Sequence, residues 1–174
     1  MERIRSETVH RGPRVTVRQE RWRHADGGEA DREIAVVEDA VVIIACDDEV
    51  VYLVRQPREP VNEPRLLELP AGKLDVEGES PLECAQRELV EEIGYAAREW
   101  QELKRFYPAP GFATEEMTLF LATGLVRVEG HTPDPEERIE VVAWPLSDLD
   151  GAIAACSDGK SLIGLLFLRG RLSG

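Results

Sequence analysis

The stretch GKLDVEGESPLECAQRELVEEIG, residues 72–94, decides the fold. Its second half carries the punctuation of a helix. Ser80 suits the N-cap, Pro81 suits the first helical position because its missing N–H would have no partner there, and Glu83 can close a capping box on Ser80. Gly94 supplies the left-handed stop. Between these limits Leu82, Ala85, Leu89 and Ile93 recur at helical spacing and mark a buried face. Glu88, Glu91 and Glu92 point elsewhere. At about 100° per residue, Glu92 lies roughly 40° and Glu91 roughly −60° from Glu88, whereas Leu82, Leu89 and Ile93 cluster at roughly 100° to 140°. Carboxylates this close repel one another. A solvated acidic face is one outcome. A hard divalent cation held by oxygen, Mg²⁺ or Mn²⁺, is the other.

Working outward, Pro70-Ala71-Gly72 ends a short strand at 66–69. Before it, residues 55–64 hold Pro57, Pro60 and Pro64 and read as a loop. The apolar run Ala40–Cys46 reads as a buried strand, and Asp47-Asp48 turns it into a hairpin with 50–55. Residues 1–38 are polar, with weak alternation over 15–23 and a turn signal at Asp26-Gly27-Gly28. They predict a β arm of two strands and a turn, with little apolar content to bury alone. Beyond the helix, strands are expected at 100–107, 117–123 and 139–144, an acidic loop at 134–137, a helix capped by Ser147, and a last helix over 162–169. Strands and helices mix without strict βαβ alternation, which predicts an α+β fold with a mixed β-sheet flanked by helices. The chain divides into an N-terminal β arm, 1–38, and a main domain, 39–174.

Composition limits the partners. Acids outnumber bases 34 to 21 in 174 residues, a net charge of −13 that repels polyphosphates at long range and argues against nucleic acid. A small anionic substrate then needs a cation or a few placed arginines beside it. Cys46, Cys84 and Cys156 show no CxxC spacing, and His10, His24 and His131 no zinc-ligand spacing. The charged N-terminus lacks a signal core and no apolar run reaches membrane-spanning length, so a soluble, cytoplasmic protein without a membrane partner is expected.

Gly72, Glu79, Arg87-Glu88-Leu89, Glu91-Glu92 and Gly94 resemble the Nudix hydrolase signature: a Gly, a Glu, then Arg-Glu-aliphatic-x-Glu-Glu-x-Gly. Six residues, 73–78, separate Gly72 from Glu79, one more than the family usually has. The extra residue falls where a loop absorbs it. Tyr95 stands where an aliphatic residue is commoner. The resemblance implies a Nudix-type α/β/α sandwich and a metal-assisted attack of water on a diphosphate. It makes Glu88 and Glu92 metal ligands, Glu91 a further ligand or an orienting partner, and the Ala71 carbonyl a further metal contact. Arg87 resembles the arginine that fixes the glutamate rotamers; the plainer alternative is a surface pair with Glu91 contributing a few tenths of a kcal/mol. Glu79 is assigned to structure or the outer shell. The implied general base is Glu137, with Glu136 second; read alone, both belong to a solvated acidic loop.

Three further stretches resemble the ADP-ribose pyrophosphatases of that family. They are Val54-Arg55-Gln56-Pro57-Arg58, Leu67-Glu68-Leu69-Pro70-Ala71-Gly72, and Pro110-Gly111-Phe112, whose proline lies fifteen residues past Tyr95. The resemblance implies that Arg58 holds the diphosphate and Glu115 the terminal ribose, with Arg32 and Gly111 also binding substrate. Trp22 is either an adenine platform or ordinary packing. A homodimer with exchanged arms is implied, and ADP-ribose cleavage to AMP and ribose 5-phosphate. The helix sees only diphosphate and metal, so a GDP- or UDP-sugar substrate stays open. So does a non-catalytic ADP-ribose sensor, against which the intact glutamate set weighs.

Overall fold

Largely polar strands still make a sheet where ion pairs such as Arg3–Glu20, Arg23–Glu2 and Arg23–Glu29 link them. The computed structural model describes residues 1–130 and 138–173. Its first unit comprises Met1–Asp39 with Phe106–Met117. Strands β1 (Glu2–Arg11), β2 (Thr16–Arg23) and β3 (Glu29–Val36) run antiparallel in that order. The sequence predicts two strands here, and a third forms. All ten residues of β1 are exposed, so no hydrophobic alternation announces it. The centre of this sheet is a carboxylate. Glu20, 4% exposed, accepts from Arg3 Nη1 at 3.3 Å, Ser6 Oγ at 3.0 Å and Trp22 Nε1 at 3.0 Å. The segment 106–117 adds to β3: the Ala35 N–H donates to the Phe112 carbonyl at 2.8 Å, and the Thr114 N–H to the Ala35 carbonyl at 3.0 Å.

The second unit, Ala40–Arg105 with Thr118–Gly174, is built on β4 (Ala40–Cys46), every residue of which is buried. The other strands are β5 (Val50–Arg58), β6 (Glu63–Glu68), β7 (Ala71–Lys73), β8 (Tyr95–Phe106), β9 (Met117–Arg127) and β10 (Glu140–Pro145). The seven-stranded sheet has the order β10-β5-β4-β9-β8, with β6 on β5 and β7 on β4. Helix α1 (Pro81–Ile93) covers one face. There Val41, Ile43 and Ala45 of β4 cluster with Ala85, Leu89 and Phe120. The intervening Ile44 meets α3 (Gly159–Leu172) at Gly164, where an added Cβ would stand 2.3 Å from Leu69 Cδ1 and 3.4 Å from Ile44 Cγ1. A strand covered on both faces has no polar side, which is why β4 reads as an unbroken apolar run. Helix α2 (Leu149–Ala155) packs on α3. The result is the expected α+β fold, an α/β/α sandwich on a mixed sheet.

Local chemistry explains where the elements begin and end. Helix α1 has its capping box, with Ser80 and Glu83 exchanging hydrogen bonds, and stops at Gly94 with φ of 75°. Burying a side chain such as Leu89 in its core contributes about 1.5–3 kcal/mol. Three expectations need correction. Residues 55–64 are not a plain loop: β5 runs to Arg58 because Pro57 sits at a register shift between Gln56 and Arg58, where no ladder donor is needed. Leu82 is 38% exposed, since it lies in the first turn, short of the sheet; Cys84 is buried instead. Ser147 does not cap α2, which starts from a 3₁₀ turn at Leu146–Asp148 without a side-chain cap. Tyr95, unusual for the motif, packs its ring on Tyr52 at 4.9 Å. Among the described residues no helix is long and apolar enough to cross a membrane.

Candidate functional site

The turn before α1 and the helix itself are interlocked through two glutamates. The Glu88 side chain lies directly over Gly72, where a Cβ would come within 1.9 Å of its Cδ. Glycine is required there by contact, not by backbone conformation. Glu92 is only 5% exposed, and its Oε2 accepts from the Ala71 N–H at 3.0 Å. Both carboxylates thus meet consecutive residues of β7, the strand held against β4 through Val42 and Val41.

Arg87 organises the remaining charge. Its Nε and Nη2 reach the two oxygens of Glu79 at 2.9 and 3.0 Å, and its Nη1 reaches Glu88 Oε1 at 2.8 Å and Glu91 Oε2 at 2.9 Å. Glu79 arrives at this position through a tight turn in which Gly78 has φ of 83° and the Glu79 N–H donates to the Val76 carbonyl at 3.1 Å. The hydrogen bonds from Arg87 hold the Glu79 carboxyl below the usual glutamate range, and in return Glu79, followed by the Glu88 charge, keeps Arg87 firmly protonated against its partial burial. Glu79 is therefore the main partner of the arginine, a role its place in the signature did not disclose. Beneath, burial and then the Glu88 charge push the Cys84 thiol up to about 12.

Arg58 stands at the end of β5. Its Nε and Nη2 meet the oxygens of Glu68 at 2.6 and 2.8 Å, and its positive charge is favoured first by that pairing and more weakly by the charge of Glu92. Glu68 has no exposed surface. The sequence offered one faint signal for it: a glutamate alternating with Leu67 and Leu69 in a sheet covered on both faces has nowhere to point but inward.

In the first unit, Trp22, Arg32, Pro110 and Gly111 line a single cavity of about 300 Å³, together with Phe112 and Thr114. Glu115 follows Thr114 outside this lining. Residues separated by some ninety positions thus line one cavity. The expected bases Glu136 and Glu137 lie outside the described residues.

A divalent cation would find hard oxygen donors here: the Glu88, Glu91 and Glu92 carboxylates and the carbonyl of Ala71. Among the described residues no three His, Cys, Asp or Glu side chains already close around one point. Mg²⁺ does not demand such a cage, because it keeps several waters and takes one or two carboxylates.

Comparison with known proteins agrees with this geometry. The NUDIX domain family matches residues 36–161. The chain is 42% identical to an ADP-ribose pyrophosphatase of Mycobacterium tuberculosis (strain ATCC 25618 / H37Rv) over 144 residues, 82% of this chain and 69% of that one. It is 37% identical to an ADP-ribose pyrophosphatase of Bacillus subtilis (strain 168) over 147 residues, 83% of this chain and 78% of that one. The crystal structure of an ADP compounds hydrolase superposes with a TM-score of 0.87 at 26% identity, covering 99% of this chain and 94% of that one. With the signature helix, the glycine beneath Glu88 and the sandwich all in place, the chain belongs to the Nudix hydrolase family.

Proposed function

We propose that the protein hydrolyses the diphosphate of ADP-ribose, giving AMP and ribose 5-phosphate, with Mg²⁺ (or Mn²⁺) as cofactor. The observation that carries the reading is the pair Glu88 and Glu92, seated on Gly72 and Ala71 at the mouth of the signature turn. The Gly72 cradle is filled by a carboxylate, and the surrounding donors are hard oxygens, so the residues fit a hard divalent cation. Glu88 and Glu92 would hold it, with Glu91 and the Ala71 carbonyl beside them. Bound there, the metal supplies charge neutralisation and a water of lowered pKa. Arg87 keeps the carboxylates in one arrangement, so they need not reorganise as charge develops. Arg58 binds and orients the diphosphate. Glu137, or Glu136, takes the proton of the attacking water, whose oxygen joins one phosphorus while the bridging P–O bond breaks.

The preference for an adenine nucleotide is supported by the cavity holding Trp22, Arg32, Pro110 and Gly111. The indole N–H of Trp22 is fixed on the buried Glu20, leaving a preset ring for stacking. Glu115 would serve the terminal ribose. The arm 1–38 is proposed to exchange between two copies, since the ten exposed residues of the edge strand β1 are available to a partner. Three free, buried cysteines suit a reducing, cytoplasmic setting. The test is a panel of ADP-ribose, GDP- and UDP-sugars and nucleoside triphosphates incubated with Mg²⁺, the products resolved by chromatography. ADP-ribose left intact while a GDP-sugar is cut would reassign the substrate. Full activity in Glu92→Gln would remove the site, and binding without turnover of any compound would make the protein a sensor.

A further inference from the structure

Behind Arg58 lies a line of alternating charges. Glu68, with no exposed surface, takes Arg58 on both oxygens at 2.6 and 2.8 Å, and its Oε2 also pairs with Lys160 Nζ. Lys160 in turn reaches Asp158 Oδ2 at 2.8 Å, and the same oxygen caps α3 by accepting from the Ser161 N–H at 3.1 Å. The Ser161 hydroxyl accepts from the Leu69 N–H at 2.7 Å, two residues before Ala71. These contacts join β5, β6 and the start of α3 into one formally neutral row: Arg58, Glu68, Lys160, Asp158.

We infer that Lys160 is a positioning residue for substrate binding: by sharing the buried Glu68 carboxylate, it leaves Arg58 with charge available to a diphosphate. A desolvated carboxylate with a single cation would place its full negative charge on that cation and cancel the field Arg58 presents to an anion. With Lys160 on the same carboxylate the negative charge is divided. Lys160 is 11% exposed on its side chain, so it acts through Glu68 and not by touching the ligand. Asp158 works in the opposite sense, because it draws part of the Lys160 charge away from Glu68. The inference rests on the reading of Arg58 as the diphosphate ligand.

The experiment measures KM and kcat for ADP-ribose with Mg²⁺, together with Tm, in Lys160→Met, Lys160→Arg, Asp158→Asn and Arg58→Met. Lys160→Met is expected to raise KM about tenfold with kcat within about twofold, and Lys160→Arg to restore KM. Asp158→Asn is expected to leave KM at or below the wild-type value, although it removes a helix cap. A cluster that only stabilises the fold would raise KM in both neutralised variants or in neither. In the Arg58→Met background, Lys160→Met is expected to change KM by less than about twofold, because its route to the ligand is gone. Hydrogen exchange of the Arg58 Nε–H, followed by ¹⁵N NMR, should remain slow in Lys160→Met, since the pair with Glu68 tightens. An unchanged KM in Lys160→Met, a KM effect that multiplies with that of Arg58→Met, or a raised KM in Asp158→Asn would overturn the inference. Should Lys160→Met fail to fold, Asp158→Asn decides: a lowered KM supports the inference, and an unchanged or raised KM overturns it. An unchanged KM in Arg58→Met removes the diphosphate role of Arg58 first, and the inference with it.

Discussion

Replacing Gly72 by alanine perturbs the site by one methyl group and nothing else. The added Cβ would lie 1.9 Å from Glu88 Cδ and 2.2 Å from its Oε1. Non-bonded carbons settle at about 3.5–4.0 Å, so the carboxylate must retreat by about 2 Å. Retreat is possible, because Glu88 is 13% exposed on its side chain and tied on one oxygen to Arg87. Stability should therefore fall by only about 1 kcal/mol, the low end of overpacking costs. Activity should fall much further. Misplacing a reacting group by about 1 Å costs about a hundredfold, so kcat/KM should drop about 10²- to 10³-fold, equivalent to about 3–4 kcal/mol of transition-state stabilisation. The assay is AMP release from ADP-ribose at saturating Mg²⁺, with Tm measured alongside and Mn²⁺ affinity read by electron paramagnetic resonance. If the methyl acts through Glu88, the double variant Gly72→Ala, Glu88→Gln should be no worse than the poorer single variant. A Gly72→Ala protein that keeps kcat/KM within about threefold of wild type would refute the reasoning, because Glu88 would have left its place without consequence.

Glu79→Gln should lower kcat about tenfold, the usual cost of losing a partner that orients a metal ligand. Its stability signature follows from sign: Glu79 is held below its ordinary value, so its contribution is present at neutral pH and lost as pH falls through the depressed folded value. Melting curves of wild type and Glu79→Gln should thus differ at pH 7 and begin to converge only as pH falls below about 4.3. Gly164→Ala should cost about 1–3 kcal/mol in a denaturant titration with no change in KM, because its Cβ would press on Leu69 at 2.3 Å. Cys84, buried and with its thiol pushed up to about 12, should resist iodoacetamide at pH 8 in the folded protein and react fully in denaturant, as read by mass spectrometry.

What the sequence made legible follows the range of each interaction. Helix α1 was readable to its last residue because caps and period are local, and Ser80, Glu83 and Gly94 behave as their chemistry dictates. The run Ala40–Cys46 was readable because burial on both faces leaves no polar side. Strand β1 was not, since it is held by Glu20 accepting from Arg3 and Ser6, and ionic pairing leaves no periodic trace. Pro57 argued for a loop, and only the register shift opposite it lets the strand continue. Within the site, the identity of the glutamates was visible and their environment was not. The pattern that separates Glu92 from the apolar face says nothing of its 5% exposure, which comes from the Ala71 turn folding over it. The contacts of Gly72 with Glu88, Glu79 with Arg87, and Arg58 with Glu68 span 16, 8 and 10 positions through loops whose path no propensity encodes.

The distribution of positive charge constrains how such an acidic protein can bind an anion at all. A net charge of −13 repels a diphosphate, but only within a Debye length of about 8 Å at physiological salt does this matter to a small ligand. Near the site, Arg87 has little to offer it: all three of its guanidinium nitrogens face the carboxylates Glu79, Glu88 and Glu91. Its charge goes into holding these carboxylates together. In the proposed reading, recruitment of the diphosphate falls to the metal and to Arg58, and Arg58 is itself paired with a fully buried carboxylate. An arginine so placed would be neutralised unless a second cation relieved it. The chain supplies one from a distant element, Lys160 on α3, within contact of the same Glu68 oxygen that Arg58 Nη2 engages. Two functions that are easily assigned to one arginine each are here distributed over separate layers of the sandwich. The helix α1 layer orders the acids, and the α3 layer preserves the charge of Arg58.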